Sequence, residues 1–175
     1  MQEPEVSLRI ATNYIQGGKT CANVNVSIDG AHIKTKESIH FAVEGFLRKN
    51  GYVKCVGVDN RRQGEYGCPD SAYRIVVSSK PGVGDVTIAL PDGKTLFIES
   101  KKFKSGSGGE YPAMREAIGQ LMTGCPDHPE IIPVVAVPFS SKSAELAQKW
   151  SFSKRMRMAG IRFMLVRNDG SINLI

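Results

Sequence analysis

The chain has 175 residues, of which 41% are apolar and 23% charged, a length and composition suited to one domain with a full hydrophobic core. This excludes a disordered, collagen-like or membrane-embedded chain, since no run reaches the roughly 18 to 20 apolar residues of a membrane helix; the expected location is the cytoplasm. The formal net charge is +6, and residues 142–167, with seven basic residues against Glu145, hold all of that excess, which points either to a polyanionic partner or to a solvated helix face.

Along the chain, β-prone runs at residues 6–14 and 22–28, followed by Asp29-Gly30, predict an N-terminal β-hairpin over residues 1–33. Thr35 is placed to cap a helix reaching Asn50, with Ile39, Val43 and Phe46 on one face and Gly51 as its stop. Strands follow at residues 52–58 and 73–78, separated by a polar loop containing Arg61-Arg62. Two more, at residues 83–90 and 94–101, are joined by Pro91-Asp92-Gly93, a strong turn signal between β-branched runs. A Gly/Ser-rich basic loop spans residues 102–109. Pro112 opens a helix with Met114, Ala117, Ile118 and Leu121 on one face, ending by Gly124. Residues 131–139 suit a strand buried on both faces, residues 143–158 a helix, and residues 161–166 a final buried strand. The order predicts an α/β sandwich with a central mixed sheet flanked by helices.

Cys21, Cys55, Cys68 and Cys125 form no C-x-x-C pair, and Cys125 with His128 lacks a second pair at zinc-site spacing. Gly18-Lys19-Thr20 ends like a phosphate-binding loop, but Asn13 stands where such a loop needs glycine.

The chemistry concentrates in the hairpin. With residues 91–93 as the turn, facing residues have numbers that sum to 184, which sets Asp85 opposite Glu99 with Lys101 on the same face. Two adjacent carboxylates on an apolar sheet repel each other, and Lys101 offsets only part of that. Mg²⁺ or Mn²⁺ would resolve the conflict through hard oxygen ligands, with Lys101 holding a water or an anionic transition state. The alternative is an ordinary ion pair on a strand surface.

At Gly84-Asp85 and Glu99-Ser100-Lys101 the chain resembles the PD-(D/E)XK nuclease superfamily, with Gly84 in place of the proline. The resemblance covers about residues 36–170 and extends to Ala117-Ile118-Gly119-Gln120-Leu121, to Val135-Ala136-Val137-Pro138 and to residues 160–170; residues 1–33 have no counterpart. It implies a restriction-endonuclease-like three-layer sandwich over residues 34–175, acting as a metal-dependent DNA endonuclease of restriction or repair type. A Holliday-junction resolvase or an inactive nucleic-acid-binding module of the same fold are the alternatives. The implied catalytic set is Asp85, Glu99, Lys101, Gln120 and Glu37, and the implied metal set is Asp85, Glu99, Ser100 and Glu37, with Glu44 the substitute for the helix acid. Lys102, Lys104, Lys154, Arg155 and Arg157 are the expected DNA contacts, on the same side as the cleft, and a homodimer is the expected assembly.

Overall fold

A computed structural model describes residues 1–30, 40–57, 61–80, 82–103 and 108–175. Helix α1 (Glu3–Gln16) is followed by β1 (Val24–Ser27), α2 (Val43–Lys49), β2 (Val53–Val56), β3 (Gly64–Gly67), β4 (Ile75–Ser78), β5 (Val86–Ala89) and β6 (Thr95–Ser100). Then come α3 (Glu110–Gly124), β7 (Ile131–Pro138), α4 (Ser141–Ser151), α5 (Lys154–Met158), β8 (Arg162–Val166) and β9 (Ile172–Leu174). All the strands join one mixed sheet in the order β2-β3-β4-β1-β5-β6-β7-β8-β9.

The sheet divides the core in two. Helices α1 and α2 cover one face, where Val24, Val26, Val86, Ile88, Leu96 and Ile98 pack against Val6, Ile10 and Leu47. Helices α3 and α4 cover the other, where Phe97, Val135, Val137, Phe163 and Leu165 meet Met114, Ala117, Leu121 and Leu146. Alternating strand residues therefore serve opposite layers, as a pleated strand requires. Strand β7 is the clearest case, since Val134, Val135, Ala136 and Val137 are all buried, as expected for a strand with parallel neighbours on both sides.

Residues 3–16 are a helix, not the first arm of the expected hairpin. Val6, Ile10, Thr12 and Ile15 favour strands when taken one by one, but Pro4 in the first turn and acidic Glu3 and Glu5 at the positive end of the helix dipole start a helix. The Gln2 N–H donates to Glu5 Oε2 (3.4 Å), and Arg9 pairs with Glu5 one turn on (2.8 Å). Val6, Leu8, Ile10, Ala11, Tyr14 and Ile15 are all buried. A helix so widely apolar is stable only under other elements, and packing overrides β propensity there. Strand β1 is central, parallel to β4 and antiparallel to β5.

Other boundaries shift for local reasons. Helix α2 begins only at Val43; Thr35 and Ile39, its expected start, lie outside the described residues. The helix expected over residues 143–158 breaks into α4 and α5, with Phe152 as the last cap and Ser153 extended (ψ 129°). Strand β3, inside the expected polar loop, is held between β2 and β4. Strand β9 pairs at the sheet edge with β8.

Ile10, fully buried on α1, gives a direct check. Ile10→Ala is expected to cost about 2–5 kcal/mol, whereas Arg9→Ala, which removes one partly exposed ion pair, costs no more than about 1 kcal/mol. Urea unfolding midpoints of the two variants measure the difference.

Candidate active site

The β5–β6 hairpin has the expected register. Val86↔Ile98, Thr87↔Phe97, Ile88↔Leu96 and Ala89↔Thr95 are paired, and Gly93 takes the left-handed conformation that closes the turn (φ 85°). At Asp85 the ladder slips by one: its N–H donates to Ile98 O (2.9 Å). Direct opposition to Glu99 is thus replaced by a displaced arrangement at the strand's start. The Ser100 N–H donates to Asp85 Oδ2 (2.8 Å), drawing this carboxylate across the end of β6, and the Asp85 and Glu99 carboxyl groups lie within hydrogen-bonding reach of each other.

A proline could not stand at Gly84. Its φ is +71°, which a proline ring locked near −65° cannot adopt. A Cβ there would come within 3.1 Å of the Phe97 ring and 3.3 Å of Ile98 O.

Lys101 is 8% exposed and is reached from both faces of the sheet. Its Nζ lies 3.7 Å from Glu3 Oε1 of α1 and 3.4 Å from Glu116 Oε1 of α3. Burial opposes its charge, but the attraction of Glu3, Asp85 and Glu116 holds the ammonium's pKa above its ordinary value. Lys101 is therefore a permanent cation at neutral pH, a donor rather than a base.

The carboxylates are displaced the other way. Burial first, and then the neighbouring Glu99, raise the Asp85 pKa to about 7, against which the Ser100 N–H works. Glu99 is raised too, by burial, with Lys101 opposing and Glu3 adding to the rise. Among the described residues, Glu3, Asp85 and Glu99, with the more exposed Glu116, gather around the Lys101 ammonium. Among the described residues no group of three or more histidine, cysteine, aspartate and glutamate side chains forms a ready metal cage. The donor set nevertheless fits Mg²⁺ or Mn²⁺: two hard carboxylates that repel each other suit an ion that keeps several waters and uses one or two protein carboxylates.

A cleft of about 390 Å³ opens beside the pair, lined by Ser27, Asp29, Ser79, Lys80, Asp85 and Glu99. It lies where β1 and β4 end and β5 begins, and the Ser27 hydroxyl donates to Lys80 O (2.6 Å).

Of the residues expected from the sequence, Asp85, Glu99, Ser100 and Lys101 are brought together. Glu37 and Lys104 lie outside the described residues. Glu44 sits apart, bound by Lys54 and by the Tyr66 hydroxyl. Gln120 is on an exposed stretch of α3, and Glu116, one turn earlier, meets Lys101 instead. Lys102 is exposed and donates to Gln2 Oε1 (3.2 Å).

Lys154, Arg155 and Arg157 do not share the cleft's side. Helix α5 leads into β8, which runs parallel to β7 as β7 does to β6, so α5 lies by the strands' N-terminal ends while Glu99 and Lys101 are at the C-terminal end of β6. A separate groove of about 610 Å³ there includes Leu121, Cys125, His128, Met158 and Arg162. Trp150, half-buried, packs between the exposed Tyr111 and the buried Phe163 at the edge of the core, whereas Phe152 is exposed.

Glu3 and Glu116 escape sequence reasoning because their role arises only when α1 and α3 dock at the end of β6. The first-turn position of Glu3 suggests nothing beyond the helix dipole. No protein-family model, curated protein or solved structure matches this chain.

The Asp85 shift sets a sign for pH dependence. Its folded pKa of about 7 exceeds the ordinary 3.8, so the native state binds the extra proton between those values and stability without added metal falls as pH rises from about 4 to about 7. Asp85→Asn, which removes the buried charge, is expected to flatten that slope and to raise the thermal midpoint at pH 8 above that of the wild type. Thermal scans of both proteins from pH 4 to 8 check it.

Proposed function

We propose that the protein is a divalent-metal-dependent nuclease that hydrolyses DNA phosphodiester bonds, on a restriction-endonuclease-like fold. The observation that carries this reading is the meeting of Asp85 and Glu99 with the buried Lys101 ammonium at the end of one hairpin, beside an open cleft. An ordinary surface ion pair does not bury two acids against each other with raised pKa values.

In this reading Asp85 and Glu99 hold Mg²⁺ or Mn²⁺, which when bound supplies a water of lowered pKa and a positive charge at the phosphoryl oxygens. The Ser100 N–H fixes the orientation of Asp85. Lys101, kept protonated, orients the attacking water or offsets the charge that develops on the phosphoryl group. Glu3 and Glu116 hold the ammonium in place, Glu3 the more firmly because its side chain is 13% exposed against 57%. Glu3 is a helix acid beside the site, in addition to the one expected at Glu37. A homodimer remains part of the proposal, since no separate specificity element is evident in the sequence.

An inactive nucleic-acid-binding module of the same fold is the competing reading. A pure binder has no use for two acids in the path of a phosphate, which favours the enzyme.

The decisive experiment is a cleavage assay with Mg²⁺ or Mn²⁺ on linear, circular, single-stranded, flap and four-way DNA. Metal-dependent cleavage of at least one substrate is expected. Asp85→Ala, Glu99→Ala and Lys101→Ala should each lower the single-turnover rate by about 10²-fold or more without loss of secondary structure by circular dichroism. Glu3→Gln should cost more than Glu116→Gln. Wild-type turnover in Asp85→Ala would overturn the assignment.

A further inference from the structure

Several cations of the fold have an acid beside them: Arg9 has Glu5, Lys54 has Glu44, Arg74 has Glu65 and Lys101 has Glu3 and Glu116. Arg62 is different. It is half-buried, its Nη2 donates to the Ser79 hydroxyl (3.2 Å), and its buried Nε has no hydrogen-bond partner. Among the described residues no carboxylate forms an ion pair with it. A buried N–H without a partner is costly while the rest of this guanidinium stays open to solvent, and a ligand carrying negative charge would satisfy that N–H.

The surroundings hold Arg62 at the margin of the cleft, behind Ser79. The Tyr66 hydroxyl donates to Arg62 O (2.7 Å) and fixes its main chain. Gly30, just beyond β1, leaves room for the side chain, since a Cβ there would lie 3.2 Å from Nη2. Ser79, the partner of Nη2, lines the same cleft as Asp85 and Glu99, and so does Lys80, whose ammonium also lacks an acid among the described residues. Strands β6, β5, β1, β4 and β3 are consecutive neighbours, so the start of β3 is about 19 Å from the end of β6 along the sheet, four strand spacings away.

We propose that Arg62 and Lys80 form a phosphate-binding subsite that holds the backbone of a nucleic-acid strand on the β3–β4 side of the cleft while its scissile phosphodiester lies at Asp85 and Glu99. The inference rests on the nuclease reading and adds the direction in which the strand lies, across the ends of β5, β1 and β4. Arg62 is a positioning residue. Its planar fork suits two phosphate oxygens, and the contact fixes the strand without reading bases.

The test uses the full chain with a fluorescently labelled DNA that the wild type binds. Fluorescence anisotropy across a salt series is combined with single-turnover cleavage at saturating DNA in Mg²⁺. Arg62→Ala should weaken binding about tenfold and reduce the log–log salt slope by about 1, with the saturated cleavage rate changed by less than about threefold. Neutralising single phosphates as methylphosphonates should reveal one position that weakens the wild type and adds nothing in Arg62→Ala, the non-additivity of a direct pair. Lys80→Ala should show a smaller loss of the same kind. If Arg62→Ala does not fold, Arg62→Gln, which keeps a donor for Ser79, takes its place.

A wild type that binds and cleaves while both Arg62 variants retain its affinity and salt slope overturns the subsite and leaves the nuclease reading standing. A wild type that neither binds nor cleaves nucleic acid overturns both.

Discussion

Two carboxyl groups forced together inside the fold set the terms for the whole C-terminal edge of the sheet. Asp85 and Glu99 cannot both be charged there without repulsion, and the chain does not separate them. The hairpin that brings them together is anchored by Val86, Ile88, Leu96 and Ile98, all buried in the layer under α1. Removing these side chains from water is favourable by roughly 1.5–3 kcal/mol each, enough to sustain a local electrostatic penalty. Relief comes from the Ser100 N–H, which holds Asp85, and from Lys101, which is itself restrained by acids of two helices. The balance stays on the acidic side, and that residual negative field is what a hard cation would neutralise.

The parts of this arrangement that were legible in the sequence are those encoded by neighbours in the chain. Pro91-Asp92-Gly93 between β-branched runs specifies a hairpin and its pairing sum, which places Glu99 near Asp85 and Lys101 at the strand's end. The one-residue slip at Asp85 was not legible, because it depends on Gly84 turning through a positive φ against Phe97. Nor was α1. Its β-branched residues make a poor isolated helix, and only burial on several sides makes it a good one. Glu3 and Glu116 lie 98 and 15 residues from Lys101 in the chain, and no local pattern joins them.

Charge along the chain also proved a poor guide to charge in space. The basic stretch that holds the net positive charge is cut into α4, α5 and β8, and its densest part, Lys154 to Arg157, lies by the N-terminal ends of the parallel strands. The cations on that side of the sheet come singly, from separate elements: Lys101 just after β6, Lys80 just after β4 and, farther off, Arg62 before β3. A sheet gathers such residues because strands distant in sequence finish side by side.

The position of Lys101 between two helical layers has a consequence for how folding and chemistry are ordered in time. Helix α1 touches the lysine from one face and α3 from the other, so the ammonium is held in place only after both layers have closed on the sheet. A partly folded chain with one face still open has the hairpin, and hence both carboxylates, but leaves the lysine free to swing. Under the proposed reading, chemistry at the carboxylates is therefore withheld until both layers have closed. On warming, release of either helix by local opening would silence the site before the sheet itself gives way.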